Sequence, residues 1–114
     1  GGHSLGGAMA ANYAAKNASK LDGLLLLAAY PTKDLSSTDL TVLTIYGEND
    51  GVLNRSKIET GRTLIPKDSY EYEIKGGNHA QFGSYGKQKK DNEATISSKV
   101  QIEETIGFIV KHFN

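Results

Sequence analysis

Gly1-Gly2-His3-Ser4-Leu5-Gly6-Gly7 opens the chain and contains Gly2-x-Ser4-x-Gly6, the spacing of a nucleophile elbow. In such an elbow a strand turns sharply into a helix with the serine at the tip. The backbone there is strained, so the positions two before and two after the serine are expected to be glycine, which has no Cβ to clash. The helix after the turn aims unpaired N–H groups and a partial positive charge at the serine, a setting suited to an oxyanion. Glycine and serine also build ordinary loops, so the reading depends on the residues downstream.

Those residues carry a helix pattern. Leu5 to about Ser19 is rich in alanine, the strongest helix former, and its small residues suit close packing on a sheet. Leu5, Met9 and Tyr13 recur at i, i+4 and i+8, marking one helical face. Leu24 to Ala29 is a continuous apolar run, which fits a strand buried on both faces of a parallel sheet. The run alone also fits a buried helix; its length and the bounding Asp22-Gly23 and Tyr30-Pro31 favour strand. Thr32 to Asp39 is a polar connection, and Leu40 to Tyr46, rich in β-branched residues, reads as a second strand. It ends in the turn cluster Gly47-Glu48-Asn49-Asp50-Gly51.

Asn54 to Leu64 is expected to form a short helix, broken near Gly61 and stopped by Pro66. Tyr70-Glu71-Tyr72-Glu73-Ile74 alternates apolar and acidic residues, as an edge strand with one wet face does. A Gly-rich loop runs from Gly76 to about Thr95. Ser98-Lys99-Val100-Gln101 then matches a capping box, and Ile102, Ile106, Ile109 and Phe113 form the stripe of a closing helix. Helices alternating with strands, without repeat or linker, give an α/β class in a single domain.

Composition narrows the function. Net charge is zero over 114 residues, which speaks against a nucleic-acid partner, and Lys87 to Asp91 reads as a solvated loop. The longest apolar stretch, Leu24 to Tyr30, is too short to span a bilayer. Cysteine is absent, which excludes disulfides, thiolate metal sites and a cysteine nucleophile. The three histidines, His3, His79 and His112, lack close ligand spacing, so neither metal nor cofactor is expected.

A serine hydroxyl needs a base to take its proton, and the base needs a carboxylate to orient it. Asp50, just past the C-terminal end of the second strand, is the acid candidate, with Glu48 as its nearest rival. His79, in the loop after the edge strand, is the base candidate. His3 lies inside the elbow and is expected to point elsewhere, and His112 reads as a surface residue of the closing helix.

The order Ser4, Asp50, His79, together with the loop Gly76-Gly77-Asn78-His79-Ala80-Gln81-Phe82-Gly83-Ser84-Tyr85-Gly86, resembles the C-terminal half of an α/β-hydrolase. The likeness is to the bacterial branch labelled dienelactone-hydrolase-like. It implies parallel strands between helical layers, a three-layer sandwich of which residues 1–114 form the C-terminal part. It also implies Ser4 as nucleophile, Asp50 as acid, His79 as base and the Leu5 N–H as one oxyanion donor. True dienelactone hydrolases carry cysteine at the elbow, so Ser4 points instead to cleavage of a carboxylic ester or related acyl bond. An acyltransferase with the same triad and a non-catalytic binding module are the alternatives.

The resemblance carries further expectations. The early strands, the elbow strand and the second oxyanion donor are expected upstream of Gly1, in a longer polypeptide. The 114 residues by themselves are expected to be inactive, with an open sheet edge along Leu24 to Ala29 that the missing half or a dimer partner would cover. The connection Tyr30 to Asp39 is too short for a lid of several helices, leaving the site open on that side. The loop Gly83 to Gly86 is expected to line its rim, with Tyr85 and Phe82 as candidate substrate contacts and packing as the other role of Phe82.

Overall fold

A computed structural model describes residues 1–113. Seven principal elements run in the order β1 (Gly2–His3), α1 (Leu5–Asn17), β2 (Gly23–Leu27), β3 (Thr41–Gly47), α2 (Arg55–Arg62), β4 (Tyr70–Ile74) and α3 (Ser98–Phe113). The strands form one sheet in the order β1-β2-β3-β4, parallel throughout. A two-residue strand therefore leads into the elbow: Gly2 pairs with Leu26 and His3 with Leu27.

Helices lie on both faces. On one, Ala11 and Ala14 of α1 are fully buried against Leu24 and Leu26 of β2 and Val42 of β3. On the other, Phe108, Ile109 and Phe113 of α3 pack against Leu43, Ile45 and Ile74. Alternate residues of β3 point to opposite faces, so one strand serves both cores. The chain is an α/β domain of parallel strands flanked by helices.

The strand over the apolar run is Gly23–Leu27, and Ala28 and Ala29 lie beyond it. Its two faces are unequal. Leu24 and Leu26 are buried, whereas Leu25 and Leu27 are only partly covered. The reason is that α3 packs over β3, one strand further along.

Two helical faces also differ from expectation. In α1 the side turned to the sheet is Gly7, Ala11 and Ala14, while Leu5, Met9 and Tyr13 face solvent at 75%, 61% and 54% exposure. Close approach decides this. A Cβ on Gly7 would lie 2.7 Å from the Gly2 carbonyl oxygen and 2.5 Å from the Ala29 Cβ.

In α3 the buried residues near the N-terminal end are the polar Gln101 and Thr105, and Ile102 and Ile106 point outward. The capping residue is Ser97, one position earlier than the sequence pattern suggests. Its Oγ accepts the Val100 N–H at 3.2 Å and its carbonyl the Gln101 N–H at 3.1 Å. The Gln101 side chain, instead of turning back to the cap, reaches into the loop before it.

The link 28–40 contains no helix or strand. Its anchor is Leu35, fully buried, whose N–H donates to the Leu64 carbonyl just past α2. Asn54 caps α2, its Oδ1 accepting from Ser56 N and Lys57 N.

Candidate active site

The parallel sheet brings Ser4, Asp50 and His79 to one end, where Ser4 and His79 line one cavity and Asp50 contacts His79. Ser4 sits between β1 and α1 with φ 56° and ψ −123°, a strained left-handed conformation for a residue with a Cβ. The turn is pinned by the Ser4 N–H on the Leu27 carbonyl at 2.9 Å and the Ala8 N–H on the Ser4 carbonyl at 3.1 Å. The Ser4 side chain does not cap α1, which leaves its hydroxyl free for other use. Leu5 begins the helix, so its N–H is one of the first-turn amides without an intrahelical partner.

The elbow's glycines divide differently from the sequence expectation. A Cβ on Gly2 would lie 2.5 and 2.6 Å from the Gly6 carbonyl, so Gly2 is sterically required. A Cβ on Gly6 would meet open space, and the second required glycine is Gly7. The tight contact is between the Gly2 backbone and the first turn of α1.

Asp50 lies in the turn after β3, its N–H on the Gly47 carbonyl at 3.2 Å. One carboxylate oxygen, Oδ1, accepts the Val52 and Leu53 N–H groups at 2.8 and 2.7 Å. The other, Oδ2, contacts His79 Nδ1 at 2.7 Å, and both side chains are essentially buried. Burial pushes the Asp50 carboxyl upward. The His79 hydrogen bond and the two N–H groups outweigh it and hold the carboxyl below its ordinary value. An ionised Asp50 only accepts, so Nδ1 of His79 must be the donor. Nε2 then carries the lone pair.

Nε2 of His79 is buried and has no hydrogen-bond partner among the described residues. His79 and Ser4 line the same cavity of roughly 340 Å3, together with Leu5, Ala28, Val52 and Leu53. No hydrogen bond joins Ser4 to His79 in this state. Ala28 adds a second strained position to the cavity wall, with φ 51°. A larger cavity of roughly 480 Å3 lies beside the His79 loop under residues 91–94, and neither Ser4 nor His79 lines it.

Glu48 takes another role. Its Oε1 accepts the Gly76 N–H at 3.1 Å, tying the acid turn to the start of the histidine loop. His3 differs from expectation, because its ring turns toward His79, although it does not line the cavity that His79 shares with Ser4. Its ring centroid lies 4.6 Å from that of His79, and its Nδ1 is hydrogen-bonded to the Tyr85 hydroxyl. Burial lowers the His3 imidazole below its ordinary value and the adjacent His79 lowers it further, against the opposing pull of Asp50 and Asp91; the net lowering favours the neutral ring.

Tyr85 stacks on His3, and Phe82 lies 5.6 Å from the His3 ring while packing into the core under α3. Neither lines the cavity shared by Ser4 and His79. His112 is removed from the site. It is half-buried at the far edge of the sheet, stacked on Tyr70 and bonded to the Tyr72 hydroxyl at 2.6 Å.

Two supporting residues escaped the sequence pattern. Gln101 of α3 is fully buried. It accepts from Asn78 N at 3.1 Å and Gln81 Nε2 at 2.9 Å, and donates to the Asn78 carbonyl at 2.8 Å. Arg55, the first residue of α2, donates to the Gly47 and Glu48 carbonyls at 3.0 and 2.9 Å and so fixes the acid turn. A polar residue at a buried helical position was the one signal for Gln101. Arg55 gave none, because a surface arginine looks the same in sequence.

Among the described residues no cluster of three or more metal-ligating side chains occurs. Residues 1–103 match the family model described as "Alpha/beta hydrolase family". No curated protein matches the chain. Among solved structures, the chain is similar to one described as a predicted CIB-like hydrolase from Thermoplasma acidophilum, at TM-score 0.66 and 18% identity. The match covers 95% of this chain and 48% of that one, so the chain spans about half that protein's length.

Proposed function

This chain belongs to the alpha/beta hydrolase family, and from that premise we propose that the protein is a serine hydrolase that cleaves a carboxylic ester or related acyl bond. The observation that carries the reading is the buried His79–Asp50 pair, whose unpartnered Nε2 opens on the cavity that Ser4 also lines. A buried acceptor without a partner is costly. It is expected where a proton has to be received.

In the proposed reaction the Ser4 hydroxyl attacks the carbonyl carbon while Nε2 of His79 takes its proton. The carbonyl electron pair moves onto oxygen, where the Leu5 N–H stabilises it. Collapse of the tetrahedral intermediate expels the alcohol, which receives the proton from Nε2 and leaves an acyl-Ser4. Water, deprotonated by Nε2, then releases the acid and restores Ser4. Asp50 keeps the tautomer correct and stabilises the imidazolium formed in each half. The activity is proposed for the complete polypeptide that carries these residues, whose remaining part would supply the second oxyanion donor and cover the free edge of β1.

A fluorophosphonate probe tests this on the complete polypeptide. Wild type should label at Ser4, and Ser4→Ala should lose both the label and at least roughly 10³-fold in kcat on p-nitrophenyl acetate. A wild-type protein that does not label, or a label that survives Ser4→Ala, would refute the assignment.

A further inference from the structure

We propose that Asp91 is a positioning residue of this site: its carboxylate bolts the Asp50 turn to the His79 loop and thereby sets the contact between acid and base. The inference rests on the catalytic reading of Asp50 and His79. It starts from a stretch, Lys87 to Asp91, that looks in sequence like a solvated loop.

The two partners of the 2.7 Å Asp50–His79 contact come from different loops, 29 positions apart. The loops are also joined by the Asn49 N–H on the Gly77 carbonyl at 2.7 Å and by the Glu48–Gly76 bond, but neither of these ties reaches His79 or Gly51. Asp91 touches both at the residues that matter. Its Oδ1 accepts the N–H of Gly51, next to the acid, at 3.1 Å, and the N–H of His79 itself at 3.2 Å. Its Oδ2 accepts the Ala80 N–H at 2.9 Å, and Oδ1 also takes the Asn92 N–H at 3.0 Å. An ionised carboxylate accepts through both oxygens, and such charge-assisted bonds are about twice as strong as neutral ones.

The residues after Asp91 continue the attachment. The Asn92 carbonyl accepts from Asn78 Nδ2 at 2.9 Å, and the Glu93 carbonyl from Asn49 Nδ2 at 3.3 Å. The Thr95 N–H reaches the Gly76 carbonyl at 2.8 Å. The strap 91–95 therefore alternates between the acid turn and the base loop. Gly51 lets it come close, since a Cβ there would lie 2.3 Å from the Lys90 carbonyl oxygen. Asp91 is the one side chain in the strap that bonds directly to the base and to the neighbour of the acid.

The test uses the complete polypeptide with p-nitrophenyl acetate as substrate. Asp91→Ala should lower kcat about 30- to 100-fold with KM within about two-fold, as loss of geometry next to a reacting group does. It should also weaken the low-field Nδ1–H proton resonance that the short His79–Asp50 bond gives. Asp91→Asn keeps an oxygen for Gly51 and His79 but turns N–H groups toward the Ala80 N–H. It should recover the resonance and most of the rate, leaving a loss of about three- to ten-fold. Folded Asp91→Ala with kcat within two-fold of wild type and an unchanged resonance overturns the proposal.

Should Asp91→Ala not fold, hydrogen exchange on wild type decides. The Gly51, His79 and Ala80 amides should be protected and open together, and exchange at exposed-loop rates sinks the clamp. Ser4→Ala and Asp50→Asn run in parallel. If those leave turnover untouched, the catalytic reading fails, while the exchange result still judges the clamp on its own.

Discussion

Asp50 accepts through its two oxygens in different ways, and that asymmetry makes a substitution predictable. Oδ1 is committed to the Val52 and Leu53 N–H groups, and Oδ2 faces His79. In Asp50→Asn the backbone donors demand an oxygen at the first position, so the amide NH2 is forced onto the second. It then donates to Nδ1, and the imidazole proton moves to Nε2, where it cannot receive the Ser4 proton. The expected result is a fall in kcat on p-nitrophenyl acetate of roughly 10³- to 10⁴-fold. The melting temperature should stay within about 5 °C, because the packing is isosteric. A variant that keeps kcat within ten-fold of wild type would show that His79 does not depend on this carboxylate. The same residue shows what was legible and what was not. Strand end, turn and carboxylate are local signals that left Asp50 and Glu48 as candidates. Only reading them together with Ser4 and His79 favoured Asp50, whose carboxylate meets His79 across 29 positions.

At the level of elements, the strands, the helices and their order were legible because each rests on short-range pattern. The packed faces of α1 and α3 were not. In α1 the required close approach of backbone to sheet puts the alanines inside and leaves Met9 and Tyr13 outside. In α3 the base loop needs Gln101 as its hydrogen-bond partner, so the buried side is polar at one end and apolar at the other. Periodicity measures hydrophobicity along one element and carries no record of such demands from another.

The edge strand β4 is likewise tied to α2 by contacts no pattern reveals. Glu71 accepts from Arg62 Nε and Nη2 at 2.8 and 2.7 Å and from the Tyr46 hydroxyl at 3.0 Å. The Arg62 contact holds the Glu71 carboxyl below its ordinary value of 4.5, and the Tyr46 hydroxyl adds to this against the opposing effect of burial. A lowered folded value means the stabilisation is present above the unfolded value and is lost as pH falls through the folded one. Glu71→Gln should therefore cost about 1 kcal/mol at neutral pH, a modest figure because the pair is half exposed. The difference from wild type should shrink below about pH 4.5 and vanish in stronger acid. Thermal melts of both proteins across that range check it, and a gap that persists or widens in acid contradicts the assignment.

For the whole molecule, size and surface disagree in an informative way. The radius of gyration is 13.4 Å, close to the roughly 13 Å of a complete domain of this length. The accessible surface is 6750 Å2, against about 6100 Å2 expected for a monomer of this mass. Exposed apolar side chains are part of this surface. Leu5, Met9 and Tyr13 run along the side of α1 turned away from the sheet, and among the described residues β1 has one unpaired edge. Additional strands beside β1 would pair the edge, whereas the stripe, on the side of α1 turned away from the sheet, would need a partner lying over the helix. Taken alone, the 114 residues should associate through these features as concentration rises, since free parallel edges and exposed apolar stripes recruit other chains. Met9→Lys with Tyr13→Lys should shift the chain toward monomer in sedimentation velocity, because both side chains are exposed and outside the Ser4 cavity. Their removal changes only what the surface offers to another chain. A wild-type chain that sediments as a monomer at every concentration would mean that the α1 stripe and the β1 edge are stable in water as they stand, and the case for a covering partner would go with it.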